Sequence, residues 1–244
     1  MIRTNMKRSL RLVAPIAALG LGSMALTALA GPARPRPAVT ASANWSNAVE
    51  ERDSGHVLGN PQAERRLVEF MSYTCSHCAE FARTGEQAIK LVVVPRGRAN
   101  FEIRHLLRDP IDLTATLLTH CGASENFARN HQAILLRQSE WMAKERTISQ
   151  AQRTRWNFGT NIARRRAIAS DLGFYDIMED RGYSRTQIDR CLADEAKANR
   201  LAQATQRDVA ALGLQGTPSF VLDGQLLNGV HSWDALRPVL EKLD

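Results

Sequence analysis

The sequence is poor in several residue types on which particular protein classes depend. Its 244 residues include only 4 Cys, and aromatic residues make up 6%. So few cysteines exclude a small disulfide-rich scaffold, and a hydrophobic content of 44% excludes a collagen-like or disordered chain. Basic and aromatic residues do not interleave along a stripe, so no nucleic-acid partner is predicted. The length suits one domain with an insertion, or two small domains.

Acidic residues are absent from the first 30 positions, which hold the basic residues Arg3, Lys7, Arg8 and Arg11. Residues 12–30 are uncharged and mostly apolar, and they end in Ala-Leu-Ala. This pattern is typical of a signal peptide, so residues 1–30 are predicted to be removed on export to the periplasm. Their removal lowers the formal net charge from +7 to +3. The alternative is that residues 12–30 remain as a membrane anchor.

The rest of the chain divides by composition. Residues 31–55 are rich in Pro, Ala, Ser and Asn without apolar periodicity, which predicts a linker. Residues 56–110 contain apolar runs typical of buried strands, and residues 111–192 show the periodicity of a helical insertion. Residues 193–244 predict a helix, a hairpin turning at Asp223-Gly224, and a last helix. Two βα units that enclose a helical block indicate an α/β fold with a mixed sheet flanked by helices.

The first predicted strand runs into Cys75-Ser76-His77-Cys78, at the predicted start of a helix. Helical residues three apart share a face, so the two sulfurs can form a disulfide. Unpaired N–H groups at a helix N-terminus stabilise a thiolate and lower the pKa of Cys75, and His77 is expected to add to this effect. A stabilised thiolate makes the disulfide a stronger oxidant. Cys78 is expected to be more buried and to resolve mixed disulfides.

The alternative interpretation of a CxxC pair is half of a zinc site. The sequence lacks a second CxxC and a downstream pair of histidines at ligand spacing, whereas structural zinc needs four ligands. His105, His120 and His131 lie on separate predicted elements. No metal and no other cofactor is therefore predicted, and the redox-active group is the Cys75–Cys78 pair itself.

Two motifs carry a family resemblance. Residues 69–78, Glu-Phe-Met-Ser-Tyr-Thr-Cys-Ser-His-Cys, resemble the active-site strand and helix of the DsbA-like thiol–disulfide oxidoreductases, a branch of the thioredoxin superfamily. Residues 216–220, Gly-Thr-Pro-Ser-Phe, resemble the cis-proline loop of that family. The resemblance implies a thioredoxin-like fold with an inserted helical domain, with Cys75 attacking and Cys78 resolving. It also implies that Pro218 is cis and that Thr217 offers backbone groups to a substrate strand; an ordinary trans proline is the alternative.

Glu69 matches an acidic position under the active site of this family. A buried carboxyl group titrates high and could relay a proton to or from Cys78, whereas the alternative is a partly exposed glutamate on the strand face. The sequence departs from the family at Ser76, where proline is commonest, and Thr217 also occurs in isomerases and reductases. The direction of electron flow therefore stays open.

Two further cysteines, Cys121 and Cys191, lie on apolar faces of predicted insertion helices. In an oxidising compartment, the pairing that leaves the CxxC intact joins Cys121 to Cys191. Some DsbA-like proteins also have a second, non-catalytic disulfide in this domain. The alternative is two buried free thiols that pack as small hydrophobic groups.

The sequence thus predicts a monomeric periplasmic enzyme that introduces disulfides into exported proteins and acts on protein or peptide thiols. The resemblance implies a membrane redox partner of the DsbB type. The alternatives are a periplasmic disulfide reductase or isomerase, and a non-catalytic peptide-binding module in which the CxxC is structural.

Overall fold

The structure is a computed structural model that describes residues 44–243. The predicted signal peptide and residues 31–43 of the predicted linker lie outside the described residues. The strands are β1 (Val49–Arg52), β2 (Gly55–Leu58), β3 (Arg65–Met71), β4 (Ala99–His105), β5 (Ser219–Leu222) and β6 (Gln225–Leu226). The α-helices are α1 (Ser76–Ala88), α2 (Pro110–Thr119), α3 (Phe127–Leu136), α4 (Gln138–Thr147), α5 (Gln150–Asn157), α6 (Asn161–Leu172), α7 (Phe174–Asp180), α8 (Arg185–Leu192), α9 (Glu195–Leu212) and α10 (Trp233–Leu240).

The six strands form one mixed sheet in the order β1-β2-β4-β3-β5-β6. Strands β3 and β4 are parallel, and the other neighbouring pairs are antiparallel. Helix α1 connects the parallel pair, while α2–α8 form a helical block between β4 and α9. This is the thioredoxin-like fold with a helical insertion, so the predicted fold class is confirmed.

The end of the predicted linker belongs to the sheet, and the prediction of a linker up to residue 55 is wrong there. Strand β1 pairs with β2 as an antiparallel hairpin, from Val49 opposite Leu58 to Arg52 opposite Gly55. Strand β1 is polar and lies at the edge of the sheet, so it has no buried face to impose an apolar pattern. Its position is set by backbone pairing, which composition does not reveal.

Strand β3 is buried on both faces and separates two parts of the core. Alternation along the strand places Leu67 and Met71 in the main core with α1 and the insertion. Val68 and Phe70 belong to a smaller cluster with residues of α9 on the opposite face. The same alternation puts Glu69 on the face of Leu67 and Met71, which is the face covered by the active-site helix.

Helix α1 passes without a break through Thr84-Gly85. Gly85 is required here for close packing, because a Cβ atom at this position would come within 2.3 Å of the Phe81 ring. The helix continues into a π-helical turn, Ile89–Val93, and a 3₁₀ turn, Val94–Arg96. The glycine therefore brings an aromatic ring close to the helix axis and does not end the helix.

The insertion is closed by a covalent bond. Cys121, two residues after the end of α2, forms a disulfide with Cys191 in α8, with Cα atoms 5.6 Å apart and the two residues 70 positions apart in the sequence. This agrees with the predicted pairing. Within residues 44–243, no helix combines the length and the apolar character needed to cross a bilayer.

Candidate active site

Cys75 lies at the junction of the loop after β3 and helix α1. It is the N-cap residue of α1, with an extended backbone, and no acidic residue occupies the first turn of the helix. Its pKa is lowered to about 5, first by a hydrogen bond from the Cys78 thiol, which outweighs burial, and further by Thr217 and the backbone N–H groups of Cys78 and His77. Cys75 therefore ionises well below neutral pH, as the sequence predicts for a thiol at a helix N-terminus.

Cys78 has the opposite environment one turn along the same helix. It is fully buried, and burial raises its pKa well above the ordinary value, with the hydrogen bond to Cys75 and the charge of Glu69 acting in the same direction. Cys75 and Cys78 are free thiols in this structure. One thiol is thus prepared to attack, while the other keeps its proton until a base removes it.

The imidazole of His77 is exposed on the first turn of α1. The contribution to the Cys75 thiolate that the structure assigns to His77 comes from its backbone N–H group. The expected contribution of the imidazole stays a prediction.

The loop before β5 faces the cysteine pair. The peptide bond between Thr217 and Pro218 is cis, as expected from the sequence. The Cys75 thiol donates a hydrogen bond to the Thr217 carbonyl oxygen at 3.1 Å, so the two motifs, 142 positions apart, meet in space. Nδ1 of His231 lies 2.8 Å from the Pro218 carbonyl oxygen of the same loop.

Glu69 is fully buried beneath the cysteines, which excludes the alternative of a partly exposed strand-face residue. Neither carboxyl oxygen has a hydrogen-bond partner among residues 44–243. Burial raises its pKa well above the ordinary value, and the charges of Glu86 and Cys75 raise it further, against the opposing effect of Lys90. The raised pKa favours the protonated carboxyl group, which suits the predicted proton exchange with Cys78.

Asp112 is a positioning residue that the sequence did not reveal. Its buried carboxylate accepts hydrogen bonds from the Ser72 hydroxyl and the Thr74 backbone N–H, both at 2.9 Å, and from the Arg108 backbone N–H at 3.0 Å. The N-cap of α2 is Asp109, so Asp112 is free to turn towards the loop before Cys75. Asp109 and Asp112 both stand at the start of α2 and either can serve as a cap, so the sequence gives only a weak signal that Asp112 contacts another loop.

Gln138 holds the same loop from the insertion. Its buried side-chain NH₂ donates to the carbonyl oxygens of Tyr73 at 2.6 Å and Cys75 at 2.8 Å. The helical block therefore orients the residue that begins α1. No local sequence pattern connects Gln138 to residues more than 60 positions away.

The histidines that the sequence places on separate elements converge in the structure. His105 and His120 face each other with their Nε2 atoms 3.1 Å apart, and the ring of His56 lies 4.4 Å from that of His120. The Phe127 ring stacks on His56 at 3.8 Å, and its centre lies 5.5 Å from that of His131. Burial lowers the pKa of His56, His105 and His120, so these imidazoles are uncharged at neutral pH.

Comparison with known proteins gives a consistent result. The sequence profile of the family described as Thioredoxin matches residues 51–242. A crystal structure of a protein-disulfide isomerase from Novosphingobium aromaticivorans is 45% identical, covers 78% of this chain and 98% of that one, and superposes with a TM-score of 0.74. The α-DsbA1 structure of Wolbachia pipientis shares the fold, with a TM-score of 0.61 and 19% identity over 77% of this chain and 89% of that one.

A curated relative from Rickettsia conorii, named as a protein-disulfide oxidoreductase, is 25% identical over 191 residues. The match covers 78% of this chain and 60% of that relative. This chain thus spans about 60% of the length of the first curated relatives that it matches.

Proposed function

The chain belongs to the thioredoxin family, and we propose that it is a periplasmic thiol–disulfide oxidoreductase that introduces disulfides into exported proteins. The observation that carries this proposal is the Cys75 thiol, with a pKa of about 5, directly opposite the cis-proline loop. Because a stabilised thiolate favours the reduced enzyme, it makes the Cys75–Cys78 disulfide oxidising. The names of the Novosphingobium and Rickettsia relatives support thiol–disulfide exchange as the chemistry.

The proposed reaction has two steps. A substrate thiolate attacks Sγ of Cys75 in the oxidised enzyme, which breaks the Cys75–Cys78 bond and forms a mixed disulfide. The electron pair leaves on Cys78, whose raised pKa favours uptake of a proton, with Glu69 as the proposed donor. A second substrate thiolate then attacks the substrate sulfur of the mixed disulfide and releases Cys75 as a thiolate. The substrate gains one disulfide, and the enzyme takes up two electrons.

The substrate is proposed to bind as an extended strand beside Thr217. The Thr217 carbonyl oxygen already accepts a hydrogen bond from the Cys75 thiol, so it is accessible from the side of the reacting sulfur. When Cys75 is ionised or bridged it has no proton to donate, and this oxygen is free to accept an N–H group from a peptide. Main-chain pairing of this kind tolerates many sequences, which suits an enzyme that acts on protein thiols in general.

Further parts of the proposal concern location and recycling. The disulfide between Cys121 and Cys191 is of the kind that persists outside the reducing cytosol, which supports the periplasm. Reoxidation of Cys75 and Cys78 is proposed to come from a membrane partner of the DsbB type, with the enzyme acting as a monomer. No cofactor besides the cysteine pair enters the reaction. A fusion of the first 60 residues to a reporter that is active only after export tests the location.

The second candidate is an isomerase or reductase, which is favoured by the likeness to the 45% identical Novosphingobium protein, a protein-disulfide isomerase by name. The reduction potential separates the two directions. Equilibration with glutathione at pH 7 is expected to give a value above about −150 mV, whereas a value near that of thioredoxin, about −270 mV, would favour a reductase.

Trapping experiments test whether the pair is catalytic at all. Cys78→Ser is expected to accumulate substrates on Cys75 as mixed disulfides, because the thiol that would release them is missing. Cys75→Ser is the matched control and is expected to trap none. If neither variant captures substrate, the alternative of a peptide-binding module with a structural CxxC is favoured.

A further inference from the structure

Three potential metal ligands meet at the N-terminal hairpin, away from the cysteine pair. Glu51 in β1, His56 in β2 and His120 directly after α2 each offer one ligand atom, and these atoms lie within 4.8 Å of one another. Zinc binds imidazole nitrogen and carboxylate oxygen at about 2.0–2.2 Å, so its ligand atoms stand at most about 4 Å apart. Small side-chain rotations therefore bring all three atoms to bonding distance of one ion.

The two histidines are buried, and one has an unexplained ring nitrogen. His56 is 1% exposed, and its Nδ1 atom has no hydrogen-bond partner among residues 44–243. A buried polar atom without a partner is unfavourable and calls for an explanation. A metal ion would use the lone pair of this imidazole, which packing against Phe127 leaves unused.

The ring of His120 is already held in an orientation that suits a metal ligand. Its Nδ1 atom lies 3.3 Å from Oε1 of Glu51, and its Nε2 atom lies 3.1 Å from Nε2 of the buried His105. Metal-bound histidines generally donate their second ring N–H to a fixed partner, which sets the ring orientation. His120 can thus bind through Nδ1 and donate its Nε2–H group to His105.

An ion can reach the cluster from solvent. A cavity of about 300 Å³ borders Glu51 and His120 and is also lined by Lys197 and Arg200. Nζ of Lys197 lies 2.8 Å from Oε1 of Glu51 and neutralises this carboxylate. A bound dication would take over that role, because the flexible lysine side chain can turn towards solvent. Competition from Lys197 weakens the site but does not block it.

We propose that Glu51, His56 and His120 form a binding site for a transition-metal dication, with Zn²⁺ as the ion that fits best. Two imidazoles and one carboxylate suit zinc, whereas Ca²⁺ and Mg²⁺ require oxygen ligands. Three protein ligands leave a fourth position for water. The ion would fasten the β1–β2 hairpin to the end of α2, next to Cys121 and its disulfide.

The test is calorimetric titration of Zn²⁺ into the untagged full chain with Cys75 and Cys78 oxidised. Oxidation removes the only free thiols, and residues 1–43 contain no Cys, His, Asp or Glu. We expect one equivalent of Zn²⁺ to bind and to raise the melting temperature, with no response to Mg²⁺. Glu51→Gln and His120→Asn are each expected to lower the affinity at least tenfold, and His105→Phe to lower it about 10- to 100-fold.

Two further variants complete the design. His231→Asn removes an exposed histidine elsewhere and is expected to leave Zn²⁺ affinity unchanged. Lys197→Met removes the competing ammonium group and is expected to increase affinity. The proposal is overturned if wild type binds no equivalent of Zn²⁺, or if Glu51→Gln binds as tightly as wild type. Since Glu51 is exposed, Glu51→Gln keeps the test valid even if a buried-histidine variant fails to fold.

Discussion

The Cys75 thiol donates a hydrogen bond to the carbonyl oxygen of Thr217 across 3.1 Å, although the two residues are 142 positions apart. The contact places the reacting sulfur against the backbone group that is proposed to receive the substrate. Because only the protonated thiol can donate, the Thr217 carbonyl oxygen is occupied when Cys75 is protonated and free to accept a peptide N–H group when Cys75 is ionised. Ionisation therefore prepares both the nucleophile and the peptide-binding edge.

The reactivity of Cys75 is expected to follow its lowered pKa. In the reduced enzyme, the rate of alkylation by iodoacetamide should rise with pH around a midpoint near about 5, since the thiolate is the nucleophile. The buried Cys78 should react much more slowly across the same range. Mass spectrometry of the alkylated peptides measures both rates, and a midpoint near about 8.5 for Cys75, the value of a free thiol, would contradict the proposed activation.

The same shift predicts how stability depends on pH. The pKa of Cys75 in the folded reduced protein, about 5, lies below the value of about 8.5 for an unfolded cysteine. Ionisation thus stabilises the folded reduced form fully above about pH 8.5, and this contribution shrinks on acidification and is lost as the pH falls through about 5. Urea unfolding at pH 7 and pH 4 should show the reduced form losing stability relative to the oxidised form. In Cys75→Ser, the loss of stability between pH 7 and pH 4 should be smaller than in the reduced wild type.

Replacement of the Glu69 carboxyl group by an amide is expected to slow the exchange reaction without lowering the free energy of unfolding. Glu69→Gln keeps the shape of the protonated side chain, so the free energy of unfolding should change little or rise. Proton transfer to the Cys78 leaving group should slow, and we expect attack of a substrate thiol on the oxidised enzyme at pH 7 to be at least about tenfold slower. Stopped-flow measurement of mixed-disulfide formation checks this, and an unchanged rate of formation would exclude Glu69 as the proton donor.

Loss of the Asp112 carboxylate is expected to loosen the loop before Cys75. Asp112→Asn replaces an acceptor oxygen by an NH₂ group among donors from Ser72, Thr74 and Arg108, which should lower the free energy of unfolding by about 1–3 kcal/mol. A looser loop should also hold Cys75 less firmly at the helix N-terminus, so the midpoint of its alkylation should move to higher pH. Asp180→Asn changes an exposed carboxylate in an ion pair with Arg137 and should alter stability by less than about 0.5 kcal/mol.

The disulfide in the insertion is expected to stabilise without taking part in exchange. Replacing Cys121 and Cys191 together by Ala opens a closed segment of about 70 residues, which should cost at most about 4 kcal/mol of unfolding free energy. Insulin reduction or peptide oxidation per folded molecule should stay close to that of wild type. A large loss of activity in the folded double variant would give this bond a role in the reaction.

The sequence predicts well those features that depend on neighbours along the chain. The apolar run of β3, the helix start at Cys75 and the turn at Asp223-Gly224 each follow from a few adjacent residues, and the structure has all three. Both turn residues have the positive φ that such a hairpin requires. The family resemblance adds the cis bond before Pro218, which composition alone does not specify.

The sequence does not predict features that depend on contacts between distant segments. Gln138 and Asp112 each act on the loop before Cys75 through a few hydrogen bonds, and a lone polar residue on a helix gives no periodic signal. The histidine cluster is assembled from β2, β4 and the end of α2, so its members have no regular spacing. Strand β1 is polar and is held by its ladder with β2.

The second disulfide has a consequence for how each molecule matures. A newly made chain presents four thiols, and a bond between Cys78 and Cys121 would abolish both the structural bridge and the redox pair. The surrounding pool of finished enzyme is itself a donor of oxidising equivalents. Mature enzyme is therefore expected to oxidise the cysteines of newly made chains. The first appearance of activity in a cell would then be autocatalytic.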